Sequence, residues 1–360
     1  MDVEARIKQI EQEIKQTPYH KGTEHHIGKL RARLAKLKDE RLFGASRRSG
    51  GRVGFALKKS GDATVVLVGP PSVGKSSLLN ALTQAQSKVA DYDFTTLSVV
   101  PGIMDYHGAK ILIFDLPGII KDAALGKGQG RQVLSVVRGA DLVLIMLDFN
   151  RTNLQEIKKE LYAIGIRLDE LPPKINIKKT NSGGLKISHT TSLSQVSLPT
   201  IKELANEFRI RNGELIIKED ITLTRLIDGL MGNRKYLPYL VVVNKIDLQK
   251  KNPPTIPKAV YISAKEKSGL EPLRVAIWEK LNMMKVYLKP LGSKADINQP
   301  LIVKKDSSLK DILTKIYLAD KENFTRARIY GPGAKFPGQE VNLNFQPIEG
   351  TIISFLRGSG

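Results

Sequence analysis

Cysteine is absent from this chain of 360 residues. That excludes disulfides, thiolate zinc sites and cysteine nucleophiles, and it fits a reducing compartment. Long apolar runs are missing too. The longest near the middle, Leu142 to Leu147, is far too short to cross a bilayer. No signal-peptide pattern opens the sequence: Met1-Asp2-Val3-Glu4 begins acidic, and an amphipathic stretch follows. No internal repeat recurs at solenoid spacing. These absences predict a soluble, cytoplasmic protein with no membrane partner. The length allows two or more domains with cores of their own.

Positive charge is in excess, +21 by formal count, and it is unevenly placed. Residues 62–150 and 236–284 together carry 15 basic and 12 acidic side chains, a net of +3. Residues 1–61 carry a net of +8, residues 151–235 a net of +5, and residues 285–360 a net of +5. Lys and Arg clustered on accessory segments are the footprint of a polyanion, so RNA is the expected partner. Solvated surfaces with no partner are the alternative.

Spacing divides the chain. Val3, Ile7, Ile10 and Ile14, then Ile27, Leu30, Leu34 and Leu37, form two narrow apolar seams. A breaker-rich loop at Thr17–Thr23 separates them, so residues 1–43 are expected to form an antiparallel helical hairpin. Residues 44–61 read as a basic, glycine-rich linker. Strands are expected near 63–68, 98–106, 109–115, 141–148, 239–243 and 259–263, with helices near 75–84, 129–138, 152–163 and 270–282. Alternation of this kind argues an α/β fold with a mostly parallel sheet. His107-Gly108 looks like a hairpin turn, which makes one edge strand antiparallel. The pattern, spanning 62–164 and 236–284, is interrupted at 165–235 by an expected α+β subdomain. There Ile175–Lys178 and Leu185–Ser188 read as a hairpin joined through Asn181–Gly184, with helices near 199–208 and 222–231. Residues 285–360 give five short strand-like runs and one helix, Ser308 to Tyr317, a count that fits a β-grasp module.

The chemistry is concentrated in four motifs. Gly69-Pro70-Pro71-Ser72-Val73-Gly74-Lys75-Ser76 reads G-x-x-x-x-G-K-S between a strand and a helix, the context of a phosphate-binding P-loop. Pro71 would line the loop, and the backbone N–H groups of Ser72, Val73, Gly74, Lys75, Ser76 and Ser77 would turn toward phosphate oxygens, helped by the helix N-terminus. Lys75 would reach the β- and γ-phosphates and the Ser76 hydroxyl would bind Mg²⁺. Asp115-Leu116-Pro117-Gly118 reads D-x-x-G at a strand end. Asp115 would hold Mg²⁺ through a water, and the Gly118 N–H would sense the γ-phosphate. Asn244-Lys245-Ile246-Asp247 reads N-K-x-D. The Asp247 carboxylate would accept from the guanine N1–H and 2-amino groups, which adenine lacks. At roughly 1.5–3 kcal/mol per charged hydrogen bond this favours GTP over ATP by tenfold or more. Ser263-Ala264-Lys265 would contact the base face. Each motif closes a strand, where open α/β sheets bind ligands. Between P-loop and D-x-x-G lies Asp93-Phe94-Thr95-Thr96-Leu97. A threonine there, Thr96 in preference to Thr95, can bind Mg²⁺ while the γ-phosphate is present. Ile119 stands where Ras-like enzymes place a water-orienting glutamine, so intrinsic hydrolysis is expected to be slow. Gln129, ten residues on, is the alternative donor.

In GPPSVGKSSLLNALT, DFTTL, DLPGII, GKGQGRQV, NKID and SAK the sequence resembles the Obg-like GTPases. In TEHHIGKLRARLAKLK, GIRLDELPPKI and the stretch from Val286-Tyr287-Leu288-Lys289-Pro290 it resembles their developmentally regulated GTP-binding (DRG) branch. The resemblance spans essentially the whole chain. It implies a P-loop GTPase domain with an insertion, a C-terminal TGS domain of β-grasp fold, GTP/GDP and Mg²⁺ as ligands, and association with ribosomes (ribosomal or transfer RNA) in translation. Eukaryotic members also work with a dedicated protein partner. Relatives that replace the glutamine often use K⁺ near the phosphates, with asparagine at the place of Ser72. K⁺ is therefore an expectation that Ser72, a poorer oxygen ligand, weakens. Lys121-Asp122 departs from the family's acidic residue and glycine. A nucleotide-binding scaffold with negligible turnover is a competing reading, for which Ile119 leaves room. A P-loop ATPase or kinase conflicts with Asn244-Lys245-Ile246-Asp247.

Overall fold

The computed structural model describes residues 3–43, 61–83, 101–116, 136–149, 153–248, 256–290, 292–293, 295–316 and 323–357. Along the chain, α1 (Val3–Gln16) and α2 (Glu24–Phe43) precede β1 (Ala63–Val68), α3 (Lys75–Leu82), β2 (Pro101–Tyr106), β3 (Ala109–Asp115) and β4 (Leu142–Asp148). Then come α4 (Leu154–Ala163), β5 (Ile166–Leu168), β6 (Ile175–Lys179), β7 (Leu185–His189), α5 (Leu198–Glu207), β8 (Gly213–Ile217), α6 (Leu223–Met231) and β9 (Lys235–Leu237). The chain continues through β10 (Tyr239–Asn244), β11 (Val260–Tyr261), α7 (Leu270–Leu281), β12 (Met283–Leu288) and β13 (Leu301–Lys304). It closes with α8 (Leu309–Ile316), β14 (Phe324–Tyr330), β15 (Gln339–Asn342) and β16 (Ile352–Arg357). No helix among the described residues is long and apolar enough to cross a membrane. The chain divides into two compact units. Described residues of 61–116, 140–149 and 239–357 form one; those of 3–43, 136–139 and 153–238 form the other.

In the first unit, six strands lie in the order β11-β10-β4-β1-β3-β2. All neighbours are parallel except β2 against β3. That pair turns at His107 and Gly108, whose φ angles of 53° and 83° are the left-handed pair a two-residue hairpin needs. Strand β1 is buried at all six positions and β4 at all seven, as continuous apolar runs covered on both faces must be. Leu78 and Leu82 of α3 and Leu273 and Ile277 of α7 fill the core beside them. Each fully buried aliphatic side chain contributes roughly 1.5–3 kcal/mol. Residues 283–357 add a mixed five-stranded sheet, order β13-β12-β16-β14-β15. Its inner face packs on Leu309, Ile312 and Leu313 of α8.

The second unit departs from the sequence reading. Strands β6 and β7 are not a hairpin: both pair with β8, β6 antiparallel and β7 parallel. A parallel neighbour requires a crossover, and α5 supplies it between β7 and β8. Gly213 lets β8 enter between them, since a Cβ there would lie 2.1 Å from the Lys178 carbonyl oxygen. Helices α5 and α6 cover one face of this sheet, and α2 packs on them. Ile27 and Ala32 share one core with Ile201, Leu204 and Leu226. The N-terminal hairpin and the insertion, separate parts in sequence, are thus joined by a common apolar core.

Charge reinforces that union. Arg167 makes a two-pronged pair with Asp228, at 2.7 and 2.8 Å. Arg234 bridges Asp228 at 3.1 Å and Asp39 of α2 at 2.9 Å. All four side chains are at least nine-tenths buried. Burial and the adjacent Asp228 push the Tyr236 hydroxyl up to about 12. Helix α1 runs antiparallel to α2, since Glu4 pairs with Arg41, Glu11 with Lys38 and Glu13 with His26. The linker at 44–60 lies outside the described residues.

Candidate nucleotide site

The site forms where β1, β3, β4, β10 and the segment after β11 all end. The turn from β1 into α3 passes so close to β4 that a Cβ on Gly69 would meet the Met146 carbonyl oxygen at 2.4 Å. Ser72 and Gly74 take φ angles of 64° and 91°. Only glycine does this without strain, so Ser72 is held there by its surroundings. A Cβ on Gly74 would lie 2.4 Å from the Asn244 amide nitrogen. Both motif glycines therefore serve close backbone approach.

Lys75 is buried, and its ammonium donates to the Gly69 and Pro70 carbonyl oxygens, each at 3.1 Å. Burial pushes its pKa below the ordinary lysine value, and the Asp115 carboxylate opposes that shift. A desolvated cation at the head of a helix is a strong attractor for an anion. The Ser76 hydroxyl donates to Asp115 Oδ2 at 2.5 Å. Among the described residues, Asp115 Oδ1 is buried with no hydrogen-bond partner. A carboxylate oxygen left over beside a hydroxyl is the hard-oxygen donor set that suits Mg²⁺, so these residues fit that ion.

The guanine-type motif is tied to the P-loop directly. Asn244, buried to 2% exposure, donates from Nδ2 to the Val73 carbonyl at 2.9 Å. Its Oδ1 accepts from the Ala264 N–H at 2.9 Å. Lys245, at φ 66°, extends over the loop and donates to the Ser72 carbonyl at 2.6 Å, with Asp148 at 3.4 Å beside it. Asp247 accepts from the Ser263 hydroxyl at 2.6 Å, which leaves its second oxygen for an outside donor. Ser263 itself is fully buried and also accepts from the Glu266 N–H.

A family model described as "50S ribosome-binding GTPase" matches residues 64–179, and one for the C-terminal region of that domain matches 182–283. An uncharacterised GTP-binding protein of Methanocaldococcus jannaschii is 46% identical, over 99% of this chain and 93% of its own. Ribosome-interacting GTPase 1 of Saccharomyces cerevisiae is 40% identical over 98% of both chains. Developmentally-regulated GTP-binding protein 2 of Homo sapiens is 38% identical, over 99% of this chain and all of its own. The chain belongs to the DRG family of GTPases.

The DRG chain thus brings Ser72, Val73, Gly74, Lys75, Ser76, Asp115, Asn244, Lys245, Asp247, Ser263 and Ala264 into one site. Pro71 and Ser77 lie exposed along the same turn, and Lys265 is exposed beyond Ala264. Thr95, Thr96, Gly118, Ile119, Lys121, Asp122 and Gln129 lie outside the described residues. Asp148 was not anticipated. Its signal was an acidic residue closing a wholly buried apolar strand, where a carboxylate persists only with cationic partners. Asn244 is expected on the nucleotide, and its amide also braces the two loops that would hold it.

Proposed function

We propose that this DRG protein binds GTP with Mg²⁺ and hydrolyses it to GDP and phosphate, as a ribosome- and RNA-associated switch in translation. The observation that carries the reading is Asn244, which joins a P-loop to a guanine-type loop by two hydrogen bonds at 2.9 Å. The loop N–H groups and Lys75 grip the β- and γ-phosphates, exchanging the Gly69 and Pro70 carbonyls for phosphate oxygens. Ser76 and Asp115 would hold Mg²⁺, which would neutralise the charge that grows on the phosphate oxygens. Asp247 reads the guanine edge and Ser263 fixes its carboxylate in place. Water attacks the γ-phosphorus, the bond to the β–γ bridging oxygen breaks, and the proton leaves on phosphate. Ile119 offers no polar atom to orient that water, so the rate without an activator is on the order of 10⁻⁴ to 10⁻² s⁻¹. The mixed sheet over 283–357, with one helix among its described residues, supports the β-grasp TGS reading of the C-terminal part. The S. cerevisiae relative's name supports ribosome association.

Single-turnover hydrolysis of GTP with Mg²⁺ tests this. Lys75→Ala and Ser76→Ala should abolish turnover. Asp247→Asn should weaken GTP at least tenfold and improve xanthosine triphosphate, whose 2-oxo group accepts where guanine donates. Equal affinity of the unaltered protein for ATP and GTP would sink the reading. The same assay in K⁺ against Na⁺ tests a monovalent ion near Ser72. Ribosome co-sedimentation tests the partner.

A further inference from the structure

The positive charge of α2 is largely paired within its own unit. Of its six basic residues, Lys29 pairs with Glu203, Arg33 and Lys36 with Glu207, Lys38 with Glu11 and Arg41 with Glu4. Arg31 lies over the Tyr19 ring, 5.9 Å from its centroid. Lys29, Arg33 and Lys36 join the hairpin to the insertion, and Arg31, Lys38 and Arg41 bind the hairpin to itself, so they are poor candidates for an external polyanion. Unbalanced charge in this unit collects elsewhere.

At one end of the β6-β8-β7 sheet, Lys178, Lys179, Lys186, Arg209 and Arg211 are all exposed. None of the five forms an ion pair among the described residues. Lys178 and Lys186 flank Glu214 in register, on the face opposite the helices. Glu214 is the single acidic residue between 208 and 217. Asn212 holds the two loops of this end together, receiving the Thr180 and Gly184 N–H groups and donating to Asn181. Gly183 and Gly184 have open space at their Cβ positions, so the backbone between the cations is approachable from outside.

We infer that this end of the insertion sheet is an RNA-backbone contact, with the five cations neutralising successive phosphates. The inference rests on the reading above that RNA is the partner. An acidic protein surface is disfavoured by composition. Protein interfaces are anchored by buried aromatic or aliphatic side chains. Among the described residues of this unit, the exposed large apolar side chains, Tyr19, Tyr162, Leu171 and Leu198, all lie outside this end. A surface of cations without apolar anchors reads charge and spacing, as phosphate contacts do.

The test uses the full chain, a labelled 16-base-pair RNA duplex and fluorescence anisotropy across a salt series. Lys178→Gln, Lys179→Gln, Lys186→Gln and Arg211→Gln are combined in one variant. Lys8→Gln, Lys15→Gln, Lys21→Gln and Lys310→Gln form a control that removes equal charge elsewhere. The sheet-end variant should lose at least tenfold in affinity at 100 mM salt. Its salt slope should be shallower by about 0.9 for each contact removed. The control should lose less than threefold, and both should bind GTP normally. Equal losses in the two variants would mean that only net charge matters and would overturn the site. So would unchanged binding by the sheet-end variant, no RNA binding by the unaltered protein, or displacement of the RNA by polyglutamate at an equal concentration of charge. RNA binding lost with these four side chains, in a protein that fails to sediment with ribosomes, would remove the ribosome reading and leave the RNA site standing.

Discussion

The two units use charge in opposite ways. Around β1 and β4 the interior is apolar with Thr64 as its buried polar exception, and Lys75, Asp115, Asn244 and Asp148 converge where the strands end. In the hairpin and insertion the polar groups are in the interior itself, as the chain Arg167–Asp228–Arg234–Asp39. The first arrangement leaves charges poised for something outside the protein. The second satisfies them within it. Net charge by segment therefore misleads: α2 carries six basic side chains in sequence, yet most of them hold the fold together.

Breaking the interior network should give the largest effect. Asp228→Ala strands Arg167 and removes one partner of Arg234. We expect a loss of about 3–5 kcal/mol, as for other buried pairs deprived of one member. Hydrogen exchange is the measurement. Amides of α2 and α6 should exchange faster, while those of β1 and β4 stay protected. Exchange that rises equally in both units would show that the contrast between them is false. Removing the partners together, as Arg167→Met with Asp228→Leu, should cost far less.

The corresponding cut in the nucleotide unit is Asn244→Ala. It leaves the Val73 carbonyl and the Ala264 N–H without their partner, at about 1–3 kcal/mol for each unsatisfied group. GTP affinity should fall by tens of fold in calorimetry, with thermal stability changed much less. Undiminished affinity would mean that the brace is ornamental.

The smallest effect sharpens the contrast by pH. Burial opposes the charged form of Glu24. The Ser197 N–H, the Thr200 and Ser197 hydroxyls and Lys21 outweigh it, and together they hold its carboxyl below the ordinary 4.5. A lowered folded value means that stability is fully present above 4.5 and fades as pH falls through the folded value. Acid should therefore weaken the seat of α2 on the start of α5 in this window. Glu24→Gln should flatten that part of a stability–pH curve and leave the curve above pH 6 nearly unchanged.

Much of the nucleotide unit was legible because its signals are local. An apolar run followed by a glycine turn and a helix declares β1, the P-loop and α3 within about twenty residues. The alternation of strands and helices gave the sheet, and the turn dipeptide His107-Gly108 gave its antiparallel edge, which the structure closes with both residues at positive φ. The insertion failed the same treatment for a physical reason. Asn181–Gly184 has the same turn chemistry whether the flanking strands pair or a third lies between them. That third strand, β8, comes some thirty residues later. Its entry depends on Gly213, which reads in sequence as one more loop residue. Likewise N-K-x-D identified Asn244 but not its office, since nothing local says that its amide ends on the Val73 carbonyl 171 positions away.

That amide ties the phosphate loop to the base loop, and such a tie is reciprocal. Whatever tightens one loop tightens the other by the same factor. Fragments of a nucleotide inherit this. Offered together, each raises the other's affinity equally, with no covalent bond between them. Thus the protein recognises a nucleotide as a single object before any chemistry begins.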